Sequence, residues 1–224
     1  MNSLLVIDNF LPDPDMVRRY ALSVNYFDNN KEIYTTFSGK RTNVIAEINP
    51  EYNASIFNKL SKLLYNVDES VYSIDIKSYF QIVYEKYKRG WVHSDDVKTE
   101  LAGVLYLTPN PPTDSGTEFY KEKSVDKTKN ITNTDIKKQF VTNQIEFDAA
   151  KEALLENNLQ YELTDYISNK YNRLILYPAN WYHCARNYFG DTDENARLTQ
   201  VFFISCMNHN AEHKYFLDKV RFTK

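Results

Sequence analysis

Apolar residues recur along this chain with two periods, one helical and one strand-like, and the change between them divides it. At the front, Leu4 to Ile7 is a short apolar run that reads as a strand. Leu11-Pro12-Asp13-Pro14-Asp15 then starts a helix, because proline is tolerated in the first turn and acidic side chains favour the positive end of the helix dipole. Met16, Val17, Tyr20 and Ala21 follow at helical spacing. A second helix is predicted from about Pro50 to Tyr65, where Ile56, Phe57, Leu60, Leu63 and Leu64 form one stripe. From Ile74 the pattern turns to strands rich in β-branched and aromatic residues: Ile74–Tyr84, Leu101–Leu107, Gly116–Lys121, Leu174–Tyr177 and Leu198–Ser205. Thr108-Pro109-Asn110-Pro111-Pro112 must end the second of these, since proline cannot donate to a ladder. Residues 122–146 are polar and aperiodic, and read as a long loop or insertion, either a lid or disordered. Phe147–Leu155 resembles a short helix.

Many short strands behind a helical front predict a mainly β fold with flanking helices, a sandwich or open barrel. The 224 residues are enough for one well-buried domain: helical support over about 1–70, a β core over about 71–206 and a C-terminal segment at 207–224. Composition agrees, with 18 Tyr and 13 Phe against only 5 Gly. A formal net charge of −3 leaves no electrostatic footprint for nucleic acid, so no such partner is expected. Lys86-Tyr87-Lys88-Arg89 and the lysines between Lys121 and Lys129 read as solvated loops. No apolar run approaches a membrane span, and the start lacks a basic region before its short apolar stretch. A cytoplasmic location is therefore expected. Two cysteines, Cys184 and Cys206, are too few for a disulfide framework and read as small strand residues.

The candidate chemistry lies in His93-Ser94-Asp95, His183 and Arg197. Residues two apart in an extended segment point the same way, so His93 and Asp95 aim an imidazole and a carboxylate into one space. By itself such a triplet is more often a surface turn. His183 is one of four histidines; His209 and His213, in the polar C-terminal segment, are expected to have surface or packing roles. Two imidazoles and one carboxylate can hold an iron on one face and leave the other open. Arg197 opens Arg197-Leu198-Thr199-Gln200-Val201, where Arg197 and Thr199 share a face. An inward arginine needs an anion, and a carboxylate would serve. The alternatives are a rim arginine paired with Asp191, Asp193 or Glu194, and Arg186 as a competing clamp.

These segments, with Leu105-Tyr106-Leu107, Ser115-Gly116-Thr117-Glu118-Phe119-Tyr120 and Leu174-Ile175-Leu176-Tyr177, resemble the iron(II)/2-oxoglutarate dioxygenase superfamily. The likeness is nearest to its prolyl-hydroxylase-like branch and similar phage-encoded oxygenases. It implies a distorted double-stranded β-helix, a jelly-roll or cupin-like core. It implies Fe(II) on His93, Asp95 and His183, with 2-oxoglutarate bound through its far carboxylate to Arg197 and Thr199. Tyr84 and Tyr106 are further candidates for that pocket. Dioxygen is the co-reactant and ascorbate an allowed addition; the products are succinate, carbon dioxide and a hydroxylated C–H. The expected substrate is a peptidyl residue such as proline, or a small molecule. Other readings are a non-catalytic metal- or ligand-binding protein on the same barrel, and a nucleic-acid base demethylase. Ser115 stands where the branch often has glycine, which puts the local backbone in question. Retention of Asp95 disfavours a halogenase. The loops at 109–116 and 122–146, with Trp91 and Trp181, are expected to shape specificity; oligomeric state is not readable.

Overall fold

The computed structural model describes residues 4–28, 37–64, 74–95, 98–123 and 134–206. In chain order these form β1 (Leu5–Ile7), α1 (Pro14–Ser23), β2 (Phe27–Asp28), β3 (Lys40–Arg41), α2 (Ile45–Ile48), α3 (Pro50–Leu64), β4 (Ile74–Val83), β5 (Leu101–Tyr106) and β6 (Gly116–Glu122). There follow α4 (Thr134–Val141), α5 (Phe147–Leu159), β7 (Tyr161–Ser168), β8 (Leu174–Pro178), β9 (Tyr182–Arg186) and β10 (Arg197–Cys206). Seven strands make one sheet in the order β1-β8-β5-β10-β4-β3-β2, and three make a second in the order β7-β6-β9. Every pairing is antiparallel.

One face of the larger sheet is apolar throughout, and the other is apolar around β8 and β5. Leu198, Phe202 and Ile204 of β10, Leu101 and Leu105 of β5, Leu174 and Leu176 of β8, and Phe80 and Ile82 of β4 join the core under the helices. Against them lie Val17 and Ala21 of α1, Ile45 of α2, and Ile56, Leu60 and Leu64 of α3. The alternate positions turn the other way: Ala102, Val104, Tyr106, Ile175 and Tyr177 pack with Phe119 of β6, between the two sheets. This is the period of two that a pleated strand imposes. It gives the mainly β, helix-flanked architecture expected from the sequence.

Several predicted elements stand close to where the pattern put them. Asp13 caps α1 by accepting from the Met16 amide at 2.8 Å, with Pro14 in the first turn. The α3 stripe is narrower than predicted, since Leu63 is 40% exposed while Leu60 is fully buried. The stretch 122–146 is not only loop: it contains α4, and α5 continues past the predicted end to Leu159. Residues 124–133 and the C-terminal segment, with His209 and His213, lie outside the described residues. The strand β7 was not anticipated, and β9 only in so far as Cys184 reads as a strand residue. β7 is an outer strand whose Leu163 is 48% exposed, so it lacks the apolar signature of a buried one.

Asp8, just past β1, ties the first strand to the loop before β8. It accepts from Arg173 Nε at 2.6 Å and from Lys170 Nζ at 2.7 Å. Those bonds, Arg173's first, hold its carboxyl down at about 2. A depressed folded pKa stabilises above the unfolded value near 3.8, and that contribution is lost as pH falls through about 2. The site is partly exposed, so screening keeps the effect to about 1 kcal/mol or less. Asp8→Asn should lower urea-unfolding stability by that amount at pH 7 and by only a small part of it at pH 2. On α3, Leu60→Ala should cost about 3 kcal/mol in the same assay, against under about 1 for Leu63→Ala, because only the first leaves a cavity.

Candidate metal centre

The two histidines meet because the chain passing through 90–95 runs alongside β9 as an irregular extra strand of the smaller sheet. Gly90 N donates to Ala185 O at 2.8 Å, and His93 and His183 exchange backbone bonds of 3.1 and 2.8 Å. The pair is an antiparallel bridge, which puts both side chains on one face. Glycine is required at 90: a Cβ there would sit 2.8 Å from the Ala185 nitrogen. On its other side the segment is held by α5. Asn158 accepts from Val92 N at 2.8 Å and donates to Gly90 O at 3.1 Å, while Asn157 donates to Val92 O at 3.1 Å. Asp95 N then donates to Ala179 O at 2.9 Å, fixing the carboxylate arm beyond the bridge.

Both imidazoles are oriented in the same way. Nδ1 of His93 lies 2.8 Å from the Trp91 carbonyl and Nδ1 of His183 lies 2.9 Å from that of Trp181, each two residues back. A carbonyl only accepts, so each Nδ1 carries a proton, which leaves Nε2 as the atom with which each ring can coordinate. These two nitrogens converge with the Asp95 carboxylate. His93 Nε2 is 3.9 Å from Asp95 Oδ1, and His183 Nε2 is 3.7 Å from Asp95 Oδ2. One donor atom from each of the three lies within 4.8 Å of the others. Ligands about 2.1 Å from one ion and at right angles would be roughly 3 Å apart, so separations that reach 4.8 Å need to contract by up to about 2 Å.

Electrostatics favour a cation at the same point. Desolvation, then the neighbouring His183, then Lys137, hold His93 well below the usual histidine range, so it is neutral and free to coordinate. Burial raises Asp95, against the pull of His183 and Arg41. Among the described residues no lysine or arginine forms an ion pair with Asp95. A divalent ion would supply the missing countercharge.

The trio lines a cavity of about 490 Å³ that also receives Arg197, Thr117, Tyr177 and Tyr188. Arg197 is 4% exposed. Its guanidinium carbon lies 5.6 Å from the centre of the Tyr106 ring and 5.9 Å from that of Tyr188. Its Nε is buried without a partner, and so is the Thr199 hydroxyl two positions on. Thr199 pairs in register with Tyr106, whose hydroxyl shares a 2.7 Å bond with Thr117. No carboxylate of the described residues pairs with Arg197. Of the expected acidic neighbours, Asp193 takes Lys40 at 2.6 Å and Tyr84 at 2.5 Å, and Asp191 accepts from Asn195 at 2.9 Å. Arg186 is already satisfied: it meets Glu118 at 3.2 Å and stacks on Tyr166 at 4.7 Å.

Two expectations need correcting. Tyr84 does not reach the cavity and lines a separate surface depression with Glu85 and Asp191, while Tyr106 and Thr199 stand behind Arg197 and not on the cavity wall itself. The Lys86–Arg89 run is not simply a solvated loop, because Tyr87 is buried and Arg89 binds Glu118 at 2.5 Å. Ser115 accommodates the place of a glycine by donating to Pro112 O at 2.7 Å, with no positive φ. Trp91 lines the cavity, whereas Trp181 packs edge-on against Phe119. Cys184 is buried, which pushes its thiol up to about 12. Arg41 and Lys137 also line the cavity and were missed. Each stands in a short polar stretch with no spacing signal to mark it.

With this geometry in hand, comparison places the chain. The model of DUF6445, a family of unknown function, matches residues 1–204. The chain belongs to that family. No curated protein matches its sequence. HygX from Streptomyces hygroscopicus, solved with nickel and 2-oxoglutarate bound, aligns with a TM-score of 0.55 and 10% identity over 91% of this chain and 83% of that one. A prolyl hydroxylase from Trichoplax adhaerens, in complex with a hypoxia inducible factor peptide fragment, gives 0.51 and 11% over 99% and 89%. SnoN, a non-heme α-ketoglutarate-dependent epimerase from nogalamycin biosynthesis, gives 0.51 and 10% over 91% and 78%. This DUF6445 chain therefore has the jelly-roll fold of the 2-oxoglutarate oxygenases, prolyl hydroxylases included, as the sequence resemblance implied. Among its described residues no helix is long and apolar enough to cross a membrane.

Removing Asp95 or loosening its frame should separate ligand from support. Asp95→Ala should weaken Ni(II) binding, read by calorimetry, by about 100-fold or more with an unchanged circular dichroism spectrum. Asn158→Ala, which touches no donor atom, should weaken it by about tenfold.

Proposed function

We propose that this protein is an iron(II)- and 2-oxoglutarate-dependent oxygenase that hydroxylates a C–H bond of its substrate. The observation that carries this reading is a pairing of two features in one cavity. Two Nε2 lone pairs and a carboxylate converge at one end, and a buried arginine without a carboxylate stands on the wall. HygX has been solved with iron and with 2-oxoglutarate, which supports the same occupants here.

In this reading His93, Asp95 and His183 hold the metal from one side. Arg197 and Thr199 take the distal carboxylate of 2-oxoglutarate through charge-assisted bonds, with the Tyr106 ring beneath the guanidinium fixing its plane. Burial makes those bonds count, since water does not compete for the guanidinium. When bound, iron and 2-oxoglutarate supply the oxidising chemistry, in which dioxygen is consumed, the keto acid becomes succinate and carbon dioxide, and the substrate gains a hydroxyl. Trp91 and Tyr177 give the cavity aromatic walls.

Succinate should form from 2-oxoglutarate in air when Fe(II) is present, and stop on chelation. A pure binding protein on this barrel would hold its ligand and release no succinate. Arg197→Ala should weaken 2-oxoglutarate by about 10- to 100-fold, the worth of a charged hydrogen bond, while Ni(II) affinity holds. Arg186→Ala should leave both within about twofold; the reverse result would move the clamp.

A further inference from the structure

We propose that the substrate presents an anionic group, a carboxylate or a phosphate, to Arg41 and Lys137. The proposal rests on the oxygenase reading and names the substrate class that the same cavity selects.

Arg41 of β3 is opposite Gln81 of β4, which is opposite Thr199 of β10. Cross-strand partners share a face, so Arg41 turns toward the cavity with Thr199 and Arg197. Its guanidinium does not join that of Arg197. It lies 3.9 Å from the Phe37 ring centre, 5.9 Å from that of Tyr79 and 5.7 Å from that of Phe203. Arg197 keeps company with Tyr106 and Tyr188 instead. Nη2 of Arg41 donates to Gln81 at 3.0 Å, but its Nε is buried with no partner. Lys137 of α4 lines the same cavity, and no hydrogen bond or ion pair engages it among the described residues. Desolvation lowers Arg41 to about 10, against the pull of Asp95, and lowers Lys137 as well, although both side chains stay partly exposed.

Charge then points to the ligand. Asp95 is the one acidic side chain lining the cavity among the described residues. A ferrous ion with Asp95 leaves one positive charge; the 2-oxoglutarate dianion with Arg197 leaves one negative. Those four cancel, and Arg41 and Lys137 remain unmatched. Cation–π contact recovers only about 0.5–2 kcal/mol, and it supplies no countercharge. An anionic substrate group supplies what is missing. The planar fork of Arg41 suits two parallel bonds to a carboxylate or phosphate, and Lys137 adds a movable point charge.

The test uses the whole protein loaded with Ni(II) and 2-oxoglutarate, titrated by calorimetry with benzoate, phenyl phosphate and uncharged benzamide. One of the two anions should bind at least about tenfold tighter than benzamide, and the better one identifies the headgroup. Arg41→Gln and Lys137→Gln should each weaken that anion by about tenfold or more, with 2-oxoglutarate affinity within about threefold of wild type. Lys137 sits on a helix at the cavity edge, so its variant reports even if Arg41→Gln folds poorly. Equal binding of benzamide, or anion binding indifferent to both substitutions, would overturn the proposal. So would an Arg41→Gln variant that loses 2-oxoglutarate as severely as Arg197→Gln. Failure of the wild-type protein to take up 2-oxoglutarate at all would instead overturn the oxygenase reading beneath it.

Discussion

The antiparallel bridge between His93 and His183 is the contact on which the site depends. It is made of two backbone hydrogen bonds, and it brings together residues ninety positions apart. Because bridged residues share a face, it sets both imidazoles side by side, with ring centres 4.6 Å apart. Everything else at the centre serves that pairing. Gly90 allows the close approach to β9, the asparagines of α5 satisfy the outer edge of the segment, and Asp95 is anchored to the Ala179 carbonyl. The metal donors are thus held by backbone rather than by flexible side-chain contacts, which favours a preorganised centre.

The large sheet plays a different part. One face buries leucine and phenylalanine against α1 and α3 and pays for the fold. Its other face begins apolar near β8 and becomes charged toward β3, through Thr199, Gln81 and Arg41. A protein does not place two arginines in such a setting for stability, since desolvating an unpaired guanidinium costs more than hydrophobic neighbours return. On the reading proposed above, the charged face would serve as a binding surface built into a core. Arg197 and Arg41 also differ in surroundings, one over tyrosines deep on β10 and the other among Phe37, Tyr79 and Phe203, so a single anion does not account for both.

Electrostatics join the two halves of the cavity. The cations that await anions also bear on the donors: Lys137 and Arg41 help keep His93 neutral, and Arg41 with His183 opposes the rise of Asp95. Each effect favours the coordinating form at neutral pH. The position of α4, which carries Lys137, therefore matters to the metal end as well as to whatever enters beside it.

Much of this was legible in the chain because it depends on local periods. Strand alternation in β10 put Arg197 and Thr199 on one face, the stripe on α3 announced its buried side, and His93-Ser94-Asp95 aimed its two donors together whatever its partner was. Resemblance in motif order then suggested the third ligand. Three things were decided only in space. The partner of Arg186 is Glu118 on a neighbouring strand, and no spacing along the chain reveals that engagement. Tyr84, one residue past β4, turned outward to Asp193, although the alternation that placed Arg197 offered no warning. Arg41 and Lys137 sit in a two-residue strand and a short helix, too brief for any periodicity to show which way they face. Sequence alone settles which side of its own element a residue occupies, since that follows from backbone geometry. Which element lies opposite is settled by packing and cross-strand register, and it is there that a charge finds its counterion or is left waiting for a ligand.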